Sequence, residues 1–150
     1  MESVSRFQDL SLSPSLLAAL DRVDYVTPTP IQAAFIPEAL AGRDVMGQAQ
    51  TGTGKTAAFL LPILQGLREE EPVPQALVLA PTRELVMQIT AEAEKLAPRR
   101  NIRSVAIYGG QRFRAQLLAM RQGCHLVIGT PGRLLDHLSR GTLKLEGLRY

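Results

Sequence analysis

Ala49-Gln50-Thr51-Gly52-Thr53-Gly54-Lys55-Thr56 follows a short segment, Asp44-Val45-Met46, that reads as a strand, and it opens an apolar run that reads as a helix. The octet fits the phosphate-loop pattern G-x-x-x-x-G-K-[ST], with Ala49 in place of the first glycine. The spacing has a chemical reason. Gly52 and Gly54 let the backbone turn so that its N–H groups face phosphate oxygens, and the following helix adds the positive end of its dipole. Lys55 would reach the β and γ phosphates, and the Thr56 hydroxyl would ligate Mg2+. A strand, a phosphate loop and a helix together place the chain among α/β nucleotide-binding folds.

Toward the C-terminus the same alternation continues. Ala76–Ala80, Ser104–Tyr108 and Leu126–Gly129 are short, nearly continuous apolar runs, as expected of strands buried on both faces of a parallel sheet. Each precedes a helix-like segment, at 84–97, 111–122 and 132–139, and Leu85, Ile89 and Leu96 give the first of these its inner stripe. Strands alternating with helices predict an α/β, doubly wound, mostly parallel sheet, whose ligands gather at the carboxyl ends of the strands. Toward the N-terminus, Ser13-Pro14 reads as an N-cap followed by proline at the first helical position, with Leu16, Leu17, Leu20 and Val23 on one face. Thr27-Pro28-Thr29-Pro30 must be extended and can start a new helix, with Gln32 in its first turn. Pro37 is expected to break or restart that helix, and Gly42 to close it.

The chain has 150 residues, 45% apolar and 21% charged, the composition of a globular domain rather than a disordered or fibrous chain. No apolar stretch approaches a membrane span, and no signal sequence opens the chain. Cys124 is alone, which fits a reducing, cytoplasmic location and a packing role. His125 and His137 lack the spacing of a zinc site. The net charge of +3 conceals an asymmetry: residues 1–94 carry 6 basic and 12 acidic side chains, residues 95–150 carry 11 and 2. Fourteen of the 17 basic residues are arginine, whose planar fork suits phosphate, so a polyanion is the expected partner, against the alternative of solvated helix faces.

Five blocks in order carry a resemblance over nearly the whole chain: Tyr25-Val26-Thr27-Pro28-Thr29-Pro30-Ile31-Gln32, Ala49 to Thr56, Pro81-Thr82-Arg83-Glu84-Leu85, Tyr108-Gly109-Gly110 and Thr130-Pro131-Gly132-Arg133. Together they resemble the DEAD-box RNA helicases. The resemblance implies a RecA-like domain, with a Q-motif region over residues 1–35 and an ATP-binding domain over 36–150. Gln32 would read adenine, since one amide can both donate and accept. The resemblance adds Phe7 stacking on the base and Thr27 beside it, and it implies ATP and Mg2+ as cofactors. Pro81, Thr82, Arg83, Gly109, Gly110, Thr130, Pro131, Gly132 and Arg133 would line a single-stranded RNA path, binding phosphates without reading bases. Glu84 would orient its helix start. Asp24 stands where the family often has glycine, and Val86 where it usually has alanine.

Leu145, Leu148 and Tyr150 read as the lead-in to a further strand, and the family's Asp-Glu-Ala-Asp motif lies just beyond. The domain is therefore expected to be C-terminally truncated, lacking the metal-binding acid, the Ser-Ala-Thr motif and the second RecA-like domain with its arginine finger. Ending here would leave the strand after residue 129 without its sheet neighbour and expose an edge. Three functions remain open at this point: part of an ATP-dependent RNA helicase, a truncated nucleotide- and RNA-binding module without catalysis, and another P-loop NTPase acting on DNA.

Overall fold

A computed structural model describes residues 4–97 and 101–150. They divide into two units, Met1–Gly66 with Lys95–Arg100, and Leu67–Glu94 with Asn101–Tyr150.

In the first unit a 3-10 turn, Phe7–Leu10, precedes α1 (Pro14–Arg22), α2 (Pro30–Leu40) and α3 (Lys55–Gly66). The caps are those the sequence announces. The Ser13 hydroxyl accepts from Leu16 N at 3.4 Å, and Thr29 caps α2 in a reciprocal box with Gln32. Leu16 and Leu20 are buried, and α2 packs on α3. Asp24 adopts φ +58°, the left-handed conformation that glycine takes at least cost.

Two expectations fail here. Pro37 does not break α2, which runs unbroken to Leu40. Its locked φ is itself helical, and it lies at the surface, so the helix loses one hydrogen bond without ending. Asp44-Val45-Met46 forms no strand: the segment makes no backbone hydrogen bond, and Met46 is 99% exposed. A strand exists only through a hydrogen-bonded neighbour, and none lies beside this one among the described residues.

The second unit holds β1 (Ala76–Leu79), β2 (Ser104–Ile107) and β3 (Leu126–Gly129) in a parallel sheet ordered β1-β3-β2. The connecting helices α4 (Arg83–Leu96) and α5 (Phe113–Arg121), and α6 (Pro131–Ser139) after β3, match the predicted segments to within a few residues. The fold is α/β with a parallel sheet, as predicted. Val105, Ile107, Cys124, Val127, Leu134 and Leu143 form its core. Cys124 is thus a packing residue, and burial pushes its thiol up to about 11.

Only β3 is buried along its whole length; Leu77 and Val78 are half-buried and Leu79 is exposed. The strand that ends at Gly129 is central and paired on both sides, because two parallel partners accept it in one register, Leu79 and Ile107 both opposite Gly129. β1 and β2 are the two outer strands, and beside β1 Arg149 N and Tyr150 N donate to Gln75 O at 2.8 and 3.1 Å and Leu77 N donates to Tyr150 O at 3.0 Å. The predicted lead-in therefore takes a ladder position beside β1.

Candidate functional site

The phosphate loop lies in the first unit. Gly52 and Gly54 have φ of +78° and +81°, so both turn the chain where a side chain would be strained. Lys55 Nζ donates to Ala49 O at 2.7 Å, joining the end of the loop to its start, and Thr53 Oγ1 donates to Gln50 O at 2.5 Å. Gln50, Thr51 and Lys55 are exposed, Ala49 and Thr56 half-buried. The ladder of α3 begins at Gly54 O, which accepts from Ala58 N at 3.1 Å. The loop's open face and the first turn of α3 are the arrangement an anion needs.

Gln32 is far from an ordinary surface residue of α2: it is 3% exposed. Its Oε1 accepts from Thr29 N at 2.9 Å and its Nε2 donates to Gly54 O at 3.1 Å. A Cβ on Gly54 would come within 2.3 Å of that nitrogen, so glycine is needed there for contact as well as for φ. The structure thus brings Gln32 to the phosphate loop, 22 residues away in sequence. It treats the other two adenine candidates differently. Thr27 is exposed, whereas Phe7 is in the core with no open ring face.

The second unit gathers the other blocks. Pro81-Thr82-Arg83 follows β1, Gly109-Gly110 follows β2 and Thr130–Arg133 follows β3, so the strand order puts the third block between the first two, at the carboxyl edge of the sheet. Gly129 allows this packing, since a Cβ there would meet Ile107 O at 2.6 Å and the Leu134 side chain at 2.8 Å. Thr82 Oγ1 accepts from Leu85 N at 3.2 Å and so caps α4. Its helix start is therefore partly satisfied from within. The start of α6 is open: Thr130 makes no side-chain cap, Pro131 occupies the first position and Pro131 and Gly132 are exposed.

Both arginines turn toward the glycine pair. Arg83 lies over the Tyr108 ring, 5.5 Å from its centroid. Arg133 Nη1 donates to Gln111 O at 2.9 Å and to Gln116 Oε1 at 3.3 Å. Two buried polar residues meet here: Gln116, which the sequence reading passed over, and His137, which it weighed only as a zinc ligand. Gln116 Nε2 donates to Tyr108 O at 2.8 Å and to Gln111 Oε1 at 2.9 Å, and its Oε1 lies 2.8 Å from His137 Nε2. His137 also stacks on Phe113, with centroids 4.0 Å apart. Burial, then the Arg133 charge, holds the His137 imidazole below its ordinary pKa, so the ring is neutral. One signal was present: Gln116 falls in the apolar stripe of Phe113, Leu117 and Met120, where a polar residue needs a partner. His125 is a structural histidine, accepting from Arg103 N at 3.1 Å with its other nitrogen 3.1 Å from Glu69 O.

Comparison with known proteins identifies the family. Residues 29–150 match the family model described as DEAD/DEAH box helicase. The chain is 55% identical to the ATP-dependent RNA helicase DeaD of Escherichia coli K12 over 98% of its length, covering 24% of that protein. It is 47% identical to the DEAD-box ATP-dependent RNA helicase CshA of Geobacillus kaustophilus over 95% of its length, covering 31%. The crystal structure of a DEAD box protein from Methanococcus jannaschii superposes with a TM-score of 0.93 at 39% identity, over 97% of this chain and 40% of that one. The chain spans about a quarter to a third of the curated relatives it matches.

Proposed function

Since the chain belongs to the DEAD/DEAH box helicase family, we propose that it is the ATP- and RNA-binding part of an ATP-dependent RNA helicase. The observation that carries this reading is the bond from Gln32 Nε2 to Gly54 O, which ties the adenine-selecting residue to the phosphate loop. Gln32 and Thr27 select ATP, with Phe7 supporting the same block from the core, while Ala49 to Gly54 wrap the phosphates. Lys55 exchanges its bond to Ala49 O for the β and γ phosphates.

Thr56 fits a magnesium site in part. Its hydroxyl has no hydrogen bond within the protein, and no cluster of three metal-binding side chains stands among the described residues. When bound with ATP, Mg2+ would neutralise phosphate charge there. Arg83, Arg133 and the glycine pair hold an RNA strand by its phosphates, with the open start of α6 between them. The acid that completes the metal site, the arginine finger and a second RecA-like domain are assigned to sequence beyond these 150 residues. A cytoplasmic location suits the reduced thiol of Cys124, and no helix among the described residues is long and apolar enough to cross a membrane.

A second reading has an observation of its own. None of the three strands is followed by a carboxylate, β1 leading to Ala80, β2 to Tyr108 and β3 to Thr130. Turnover needs such an acid, so these residues by themselves should bind nucleotide and RNA without hydrolysing ATP. Titration with a fluorescent ATP analogue in Mg2+ tests the proposal. Binding that is competed by ATP better than by GTP and lost in Lys55→Ala is expected; equal competition, or binding retained in that variant, would overturn it.

A further inference from the structure

Gln116 uses all its hydrogen-bonding capacity inside the protein. Its amide nitrogen donates to Tyr108 O and Gln111 Oε1, and its oxygen faces Arg133 Nη1 and His137 Nε2. Reversing the amide would set its nitrogen against the guanidinium and its oxygen against a carbonyl, so the orientation is fixed. An amide oxygen can only accept. His137 Nε2 must therefore carry the proton, and in the neutral ring Nδ1 accepts from the Thr142 hydroxyl at 2.9 Å, which turns its one proton there rather than to His137 O at 3.0 Å. The ring itself is held by Phe113, on whose other contact Arg140 lies 4.6 Å from the ring centroid.

This chain of contacts ends on one nitrogen of Arg133. Nη1 is bound inward, to Gln111 O as well as to Gln116, whereas Nε and Nη2 make no hydrogen bond among the described residues. A guanidinium has five N–H donors, so three stay available on the side away from the amide. The anchoring carbonyl belongs to Gln111, the residue after Gly110, and the same amide holds the carbonyl of Tyr108, the residue before Gly109. Gln116 thus ties together the two halves of the proposed RNA contact, the glycine pair and the arginine.

We propose that Gln116 and His137 are positioning residues for RNA, holding Arg133 by one nitrogen so that its other donors face a phosphate beside Gly109 and Gly110. Neither touches RNA; both act through Arg133. The inference rests on the assignment of Arg133 to an RNA phosphate, and the experiment separates the two. Binding of a labelled single-stranded oligouridylate to the full chain is followed by fluorescence anisotropy at several salt concentrations, for Arg133→Ala, His137→Phe and the double variant. Phenylalanine keeps the stack on Phe113 and removes the donor to Gln116.

Arg133→Ala should weaken binding about tenfold and reduce the salt slope by about 0.7, as loss of one phosphate contact from a single strand requires. His137→Phe should weaken binding about threefold by freeing the arginine, and should have no effect when Arg133 is already alanine. His137→Gln, whose amide can again donate to Gln116, should restore affinity. An equal loss from His137→Phe in both backgrounds, or none in either, overturns the positioning role alone. An Arg133→Ala variant that binds like the parent overturns the RNA assignment and the positioning role with it. Should the phenylalanine variant not fold, nitrogen-15 NMR of the unmutated protein gives the answer. A His137 ring protonated at Nε2 beside a slowly exchanging Arg133 guanidinium is expected, and a freely rotating guanidinium overturns the proposal.

Discussion

Replacing Gln32 by alanine removes two bonds at once, and their partners differ in what they lose. Thr29 N, 2.9 Å from Oε1, is left without its capping partner. Gly54 O keeps Ala58 N, so losing Nε2 untethers the loop without orphaning the carbonyl. With a net value of about 0.5–1.5 kcal/mol for each bond, the loss should be about 1–3 kcal/mol. In a domain of this size that lowers Tm by about 2–12 °C. Calorimetric unfolding measures the structural part, and parallel ATP and GTP titrations measure the selectivity proposed for the same amide. Gln32→Glu separates the two bonds, because a carboxylate still accepts from Thr29 N but cannot donate to Gly54 O. It should keep the cap while losing the tether and the adenine preference. A Tm of Gln32→Ala equal to the parent's would refute the tether, and a parent that binds ATP and GTP alike would refute the adenine assignment.

Other consequences can be checked directly. Asp24→Gly should raise the urea midpoint, by about 0.5–1 kcal/mol of stability, because the residue adopts φ +58°; a lower midpoint would show that the aspartate side chain itself matters. Cys124, buried and with its thiol raised to about 11, should react with a thiol reagent at pH 8 only as fast as the protein opens, so rapid labelling of the native protein would contradict its packing role. His137 makes stability depend on pH. Its folded pKa lies below the ordinary 6.5, under the combined influence of burial, Arg133 and Arg140 against Asp136. Below 6.5 the unfolded chain takes up a proton that the buried ring refuses, so stability should rise with pH through the window under 6.5 and level off above it. His137→Phe should flatten that slope, and an unchanged slope would assign it to other groups.

Much of the fold was legible because its signals are local. The apolar runs at 76, 104 and 126 each gave a strand, and Ser13-Pro14 and Thr29-Pro30 each gave a capped helix start. What the sequence obscured depends on neighbours. Val45 and Met46 carry the same apolar signal as a strand but have no ladder to join, and nothing in the chain order says that β3 lies between β1 and β2. The site divides in the same way. Gly52, Gly54 and Lys55 are readable because the phosphate-loop pattern has its spacing within one continuous stretch. Gln116 and His137 are not, since their meaning comes from a bond made across 21 residues. Phe7 shows another limit: the sequence marks an isolated aromatic but does not say that its ring is buried in the core.

The outer edge of β1 has a kinetic side. Leu77 N donates to Tyr150 O, whereas Leu79, two residues along, pairs with β3 but has no strand on its outer side among the described residues. Two amides of one short strand should then exchange with solvent deuterium at widely separated rates, the first slowed by its partner and the second near the rate of an open peptide. Any strand that later docks there must capture the Leu79 amide. Its exchange rate is thus a single-residue reporter of whatever completes the sheet.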